Sequence, residues 1–430
     1  MKPLTTLLAG SRIAIWPIAE LVAAIAAQLV LTPLLLLRLD APQFAVWVLA
    51  QSTLLASATL SLGTGMALLP ALASAHARQD TVGAWWAIRL FAKRTTVMTS
   101  LLFGVICLAL AALDVSSWLP TMQPMSKFAL ATATLAWLAA TELDSGFTSA
   151  LKSIGRFSQV AQLEVVSRAA QVVLTLTLVS REDGALMPIV VAVTTTLAKL
   201  TVKFFALRRY WPMPEPGAPW CRSETIDMEL RSAGPWVWLG VMSGLSFNAF
   251  DRWFIGAWLG PSALASYAVC SQLAQIPHAF VSAAGQTLVP WAARHRATLE
   301  EPAVGRHARR IAWLATAAAA IPSLLLMPLV HSLLSRWVSP QFATEHSNLA
   351  QSLLLVYFAL SLNAPSYFLL FGFGKARTST TIIGMAGGVF VAGCLLIPPS
   401  INGFVAMKMV FALLTLGLVA QLLILTRKPS

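Results

Sequence analysis

The stretch FNAFDRWFIGAWLG (residues 247–260) places Asn248, Asp251 and Arg252 inside an otherwise apolar run. An ionised side chain in hydrocarbon costs about 2.5–3.5 kcal/mol, so such groups face a partner or a wet cavity. Gly244, Asn248 and Asp251 stand at i, i+4 and i+7, one face of a regular helix, with Arg252 at its edge. That spacing fits either an Asp251–Arg252 pair that locks packing or a polar wall at which Arg252 meets an anion. Glu164, Arg168, Gln171 and Thr175 form a second stripe at i, i+4, i+7 and i+11, where Glu164 and Arg168 can pair along the helix. Thr195, Lys199 and Lys203 follow at i+4 steps. Lys203 is expected to snorkel to the cytoplasm and Lys408 to the outer interface, whereas Lys199 lies deeper. Arg168, Lys199 and Arg252 are thus candidates for binding a diphosphate in a polar cleft.

The acids make another set. Glu20 heads a stripe with Gln28, and Glu142 and Asp144 lie two residues apart in one apolar run. A membrane carboxylate can take up a proton or Na+ on one side and release it on the other. Glu20, Glu142 and Asp144 are therefore candidate coupling sites, with interhelical contacts or counter-charges to Arg168 and Lys199 as the alternative. H+ or Na+ is the only cofactor-like species this admits. His278 reads as a packed core histidine. Cys107, Cys221, Cys270 and Cys394 are scattered without a CxxC or Cys/His metal spacing. There is no Walker A, GxSxG or HExxH motif. Every expected outer loop is short, and neither of the longest, about 114–127 and 336–347, holds a carboxylate pair or a His/Arg cluster, which argues against a membrane glycosyltransferase, polymerase or ligase.

The elements that must position these residues are membrane helices. Of 430 residues 57% are hydrophobic and 11% charged, and the mean hydropathy is +0.73. A soluble fold of that composition could not coat its own surface. About twelve spans, from 13–36 and 44–70 through 158–179, 186–207 and 234–258, the fifth to seventh, to 402–425, each reach the ~20 residues that cross a bilayer. The first is read as a retained helix rather than a cleaved signal, because Arg12 and Glu20 interrupt it. With both termini cytoplasmic, 22 of the 30 basic residues fall on inner segments, as the positive-inside rule requires. The net charge of +13 then faces anionic headgroups of membrane lipids rather than nucleic acid.

The Pro-rich loop containing PMPEPGAP separates two halves that resemble each other. An offset of 220 residues superposes LDAPQFAVW (39–47) on LGPSALASY (259–267), and Gly65 and Pro70 on Gly285 and Pro290. At an offset of 219, Gly155 meets Gly374, Arg156 meets Lys375, and Asp144 meets Asn363, a position polar in both halves. The expected architecture is an all-α membrane protein with two repeated six-helix halves, 1–207 and 234–430, joined by a cytoplasmic linker at 208–233. Repeats of this kind are a common way to build a transporter.

DRWFIGAWLGPSALASYAVCSQL (251–273), LLRLDAPQFAVWVLAQS (36–52) and ALKSIGRF (150–157) resemble motifs of the bacterial polysaccharide flippases, the Wzx-like proteins of the MATE-like multidrug/oligosaccharidyl-lipid/polysaccharide (MOP) superfamily. Ala45 departs from the glycine usual in that pattern. The resemblance implies a lipid-linked oligosaccharide as cargo, the bacterial inner membrane as location, and a polysaccharide polymerase and chain-length regulator as partners. It implies movement of an O-antigen, capsule or exopolysaccharide unit between leaflets by alternating access. Arg168, Lys199, Arg252, Asp251, Asn248 and Asn363 would line the cargo path. The alternative within the superfamily is an H+- or Na+-coupled antiporter of cationic drugs, which calls for an acid-dominated cavity. The bases of the fifth to seventh spans favour an anionic cargo.

Overall fold

The computed structural model describes residues 3–61, 64–112, 124–180, 182–211, 223–286, 288–295, 298 and 302–427. Among these there is no strand. Among the described residues, seven helical stretches are long and apolar enough to cross a membrane. The PMPEPGAP part of the expected linker lies outside the described residues. The chain divides into two compact units, Met1–Met242 and Ser243–Ser430.

The first unit contains α1 (Pro3–Arg38), α2 (Ala41–Leu54), α3 (Ser57–Leu60), α4 (Thr64–Ala77), α5 (Thr81–Ala112), α6 (Pro124–Ser153), α7 (Phe157–Leu178), α8 (Leu186–Tyr210) and most of α9 (Glu224–Leu245). The 44–70 run, expected as one span, is broken at 55–56, between α2 and α3, and residues 62–63, ahead of α4, lie outside the described residues. Ser52 Oγ donates to the Val48 carbonyl at 2.7 Å and Thr53 Oγ1 to that of Leu49 at 2.8 Å. Such back-bonding competes with the helical ladder and bends it, and the helix stops one residue later. Asp40 caps α2 by accepting from the Gln43 N–H at 2.8 Å. α6 is the hub of this unit, packed against α3, α4, α5 and α8.

The second unit holds the end of α9, then α10 (Asp251–Leu259), α11 (Pro261–Gly285), α12 (Leu288–Arg294), α13 (Pro302–Leu326), α14 (Val330–Trp337), α15 (Pro340–Gly372), α16 (Ala376–Leu396), α17 (Ile401–Leu414) and α18 (Gly417–Arg427). Its hub is α15, which contacts α11, α13, α14 and α17. In its most apolar stretch 67% of the residues are buried, against 11–33% in the other six candidate spans. A π-helical turn, Ser246–Phe250, separates α9 from α10. Ser246 Oγ donates to the Ser243 carbonyl at 2.6 Å and Asn248 Nδ2 to that of Gly244 at 3.0 Å. These side chains occupy carbonyls that the regular ladder would use, and the turn widens.

One turn in each unit has the same form. Between α6 and α7, Gly155 has φ +79°, and between α15 and α16, Gly374 has φ +76°. Arg156 N–H reaches the Leu151 carbonyl at 3.0 Å, and Lys375 N–H that of Leu370 at 2.9 Å. Gly155 and Gly374 N–H each close a 3.0 Å bond three residues back. Both turns are glycine-dependent helix stops with the same pair of bonds.

Candidate functional site

Three helices of the first unit bring four charges together. Lys199 Nζ on α8 lies 2.9 Å from Asp144 Oδ2 on α6 and 2.9 Å from both oxygens of Glu164 on α7. Lys203 Nζ, one turn on, lies 2.8 Å from Asp144 Oδ1, 2.7 Å from Glu164 Oε1 and 2.7 Å from Thr148 Oγ1. Two acids and two ammonium groups alternate in a closed, neutral ring. The i+4 spacing of the lysines places both on the face of α8 that meets α6 and α7.

This geometry changes two of the expected pairings. Glu164 pairs with Lys199 and Lys203 rather than along its own helix with Arg168. Lys203 is fully buried and does not snorkel, because the carboxylates beside it satisfy its charge within the protein.

Next to the ring lies a cavity of about 80 Å³, lined among others by Thr141, Asp144, Arg168, Gln171, Thr195 and Lys199. Arg168 carries no carboxylate partner among the described residues. With Asp144 and Lys199 cancelling each other, the uncompensated charge on the cavity wall is the Arg168 guanidinium. Its planar fork suits bidentate capture of a phosphate or carboxylate.

The other acids of this unit sit elsewhere. Glu20 on α1 pairs with Lys152 at 3.1 Å, each about one-fifth exposed. Glu142 is 1% exposed, with Ser57, Ser61 and Ser145 at hydrogen-bonding range.

The second unit has its own buried pair. Asp251 is 0% exposed, and its Oδ2 lies 2.6 Å from Lys408 Nζ and accepts from Tyr267 Oη at 2.5 Å. The ammonium also sits 4.4 Å from the Phe247 ring centre, 5.3 Å from that of Tyr357 and 5.7 Å from that of Tyr267. Cation–π attraction in so dry a site adds to the ion pair. The Tyr357 hydroxyl lies 3.2 Å from Ser271 Oγ. Close by, His278 has both ring nitrogens occupied, Nδ1 with Ser361 at 3.1 Å and Nε2 with Ser282 at 3.2 Å.

Three expectations are corrected here. Asp251, expected to pair with Arg252, has Lys408 and Tyr267 on its Oδ2, and Arg252 is half-buried. Lys408, expected to snorkel, is 1% exposed. Asn248 and Asp251 do not share an environment: the π-helical turn rotates one against the other, leaving Asn248 exposed and Asp251 buried. The amide of Asn363 is spent on Thr415 Oγ1, at 2.5 Å, beside the break between α17 and α18.

Sequence reasoning passed over Lys203 and Lys408 as members of buried networks. For Lys203 the signal was present, since it shares the i+4 register of Lys199. Lys408 gave none beyond being a lysine in an apolar run.

The arrangement defines a multi-pass helical membrane protein with a charged, hydrogen-bonded interior in each of two units. Comparison with known proteins narrows the class. Residues 238–394 match the MatE family model. No curated protein matches the sequence. Among solved structures, the chain is similar to a multidrug resistance MATE family transporter of the MOP superfamily in its inward-facing conformation. That match has a TM-score of 0.69, with 13% identity over 97% of this chain and 100% of the other. The outward-facing conformation of such a transporter matches with a TM-score of 0.66, 14% identity, and 98% and 96% coverage. The Vibrio cholerae MATE transporter VcmN in its bent form matches with a TM-score of 0.64, 14% identity, and 98% coverage of both chains. The chain has the MATE transporter fold.

Proposed function

We propose that this protein is a transporter of the MOP superfamily that moves a polyprenyl-diphosphate-linked oligosaccharide across the bacterial inner membrane by alternating access. It would do so with twelve membrane crossings and cytoplasmic termini, and without catalysing a reaction. The observation that carries the cargo class is the charge state of the cavity wall. Asp144 and Glu164 are both engaged by Lys199 and Lys203, so no free carboxylate is offered there to a cationic drug. Arg168 remains to meet an anion. A diphosphate is doubly suited, because it needs a charge-assisted partner to leave water, while its glycan would pass through a polar cleft that alternating access opens and its lipid tail would stay in the bilayer. The similarity to inward- and outward-facing solved forms supports two end states between which the cargo site is exposed in turn. Polymerase and chain-length regulator would act on the delivered units.

Antiport of a cationic drug is the second reading, favoured by the multidrug description of the similar structures. Lipid-linked glycans extracted from a deletion strain separate the two. Single repeat units held at the cytoplasmic face, with surface polymer lost, are the expected result. Unchanged glycans with raised sensitivity to cationic dyes would instead establish the antiporter.

A further inference from the structure

The cavity beside the charged ring offers more hydrogen-bonding groups than a phosphate needs. Gln171 lines it and is 6% exposed, yet its amide makes no hydrogen bond among the described residues. The same holds for the hydroxyls of Thr141 and Ser167, on the same wall. The α8 side of the cavity differs. Thr195 Oγ1 donates to the Val191 and Ala192 carbonyls, at 3.0 Å each, and Thr196 Oγ1 to that of Ala192 at 2.7 Å. Hydroxyl donors from α8 are thus spent on their own helix, whereas α6 and α7 hold unspent ones. A nearly buried amide without a partner is rare in a native protein and calls for a reason. A group that enters the cavity would supply it.

The wall also has an apolar part, formed by Leu54 and the indole of Trp137. Trp47 on α2 stacks on that indole, with ring centres 5.4 Å apart and planes 23° from parallel. Both tryptophans are buried, at 3% and 5% exposure, so the stack holds the Trp137 ring in a fixed plane. Trp137 and Thr141 stand one turn apart on α6, and Arg168 and Gln171 at i, i+3 on α7. Side chains at that spacing are neighbours on a helix surface, so a group attached to an anion held by Arg168 lies within reach of Gln171. One water needs about 10–15 Å³ of such a cavity, so about 80 Å³ takes a group of several heavy atoms and not an oligosaccharide.

These features select a chemistry. An acetamido group carries an acceptor on one edge, a donor on the opposite edge and a methyl group at its end. Gln171 Nε2 can donate to its carbonyl, and a hydroxyl oxygen of Thr141 or Ser167 can accept from its N–H. Its methyl group can pack on Trp137 and Leu54. A plain sugar hydroxyl leaves part of the polar wall unmet and brings nothing apolar to the indole. A second carboxylate would compete with the diphosphate for Arg168.

We propose that Gln171, Thr141 and Ser167, with the Trp137 indole, form a specificity site for the acetamido group of an N-acetylated sugar attached directly to the diphosphate that Arg168 holds. The proposal rests on the cargo reading above and adds to it which sugar the cavity prefers. A site built to hydrogen-bond a substituent discriminates against the analogue that lacks it, because its own buried groups are then left unpaired.

The test is isothermal titration calorimetry on the purified full chain in lipid nanodiscs, with empty nanodiscs as the blank. The probes are citronellyl-diphosphate-linked N-acetylglucosamine and citronellyl-diphosphate-linked glucose, which differ only in the acetamido group. In the wild type the N-acetylated probe is expected to bind at least about tenfold more tightly. In Gln171→Leu the ratio of the two affinities is expected to fall towards one. Each protein supplies its own reference, so a general loss of affinity does not imitate the result. Equal affinities in the wild type would overturn the proposal and leave the diphosphate reading intact, with ordered water filling the cavity. A wild-type preference that persists unchanged in Gln171→Leu would overturn the assignment to this wall. Failure of the wild type to bind either probe would overturn the diphosphate reading and this proposal with it.

Discussion

Lys203→Met tests whether the neutral ring is a structural unit. The substitution keeps length and apolar volume and removes one charge from a site with no exposure. It deletes contacts of 2.8 Å to Asp144, 2.7 Å to Glu164 and 2.7 Å to Thr148. Lys199 is then left between two carboxylates, each of which has lost its other counter-charge. Removing one partner of a buried ion pair costs about 3–5 kcal/mol. The Lys152–Glu20 pair is a control of the same chemistry at about one-fifth exposure, and Lys152→Met is expected to cost under about 1 kcal/mol. The double variant Lys203→Met/Asp144→Asn restores one acid against one base. It is expected to be more stable than the single variant, with a coupling energy of about 1–3 kcal/mol. The assay is unfolding of the purified protein by rising SDS in mixed micelles, followed by circular dichroism and by size-exclusion elution. Equal midpoints for Lys203→Met and Lys152→Met, or no recovery in the double variant, would refute the ring.

The second unit offers the matching case: Lys408→Met leaves Asp251 buried with Tyr267 alone and is expected to cost about 3–5 kcal/mol, with partial recovery on adding Asp251→Asn, in the same SDS titration. Gly65→Ala sets a methyl group 2.7 Å from Glu142 Oε1 and 3.1 Å from Ser61 Oγ; a loss of about 1–3 kcal/mol is expected from overpacking, read as a lower thermal midpoint. Arg168→Ala removes a charge with no carboxylate partner among the described residues, so the midpoint is expected to stay at the wild-type value. Cargo affinity, measured by competition with a soluble diphosphate analogue, is expected to fall about 10- to 100-fold, the loss of a charge-assisted hydrogen bond of roughly 1.5–3 kcal/mol.

The helices were legible because long apolar runs have few alternatives, and the turns at Gly155 and Gly374 because a position that needs positive φ leaves a glycine as its mark. Asp144, Arg168 and Lys199 could be nominated because polar residues at helical spacing inside apolar runs need a common destination, and all three line one cavity. Their partners were not legible. Whether Glu164 pairs with Arg168 on its own helix or with lysines on α8 depends on how α7 and α8 are rotated about their axes. The regular-helix rule failed at Asn248 and Asp251 because five residues adopt a π-helical turn, which the apolar pattern does not announce. Snorkelling is the default for a lysine near a helix end, and it fails for Lys203 and Lys408 because each has a buried carboxylate within 2.8 Å.

The account is tested most directly by reconstituting the full chain in proteoliposomes with a polyprenyl-diphosphate oligosaccharide in the inner leaflet and following its exposure to an external lectin. Wild-type protein is expected to expose the glycan, and Arg168→Ala, inserted in equal amount, to do so at least tenfold more slowly. Equal rates for the two proteins would remove Arg168 from the cargo path. No exposure by either, with wild-type vesicles instead exchanging a cationic dye for protons, would contradict the cargo assignment itself.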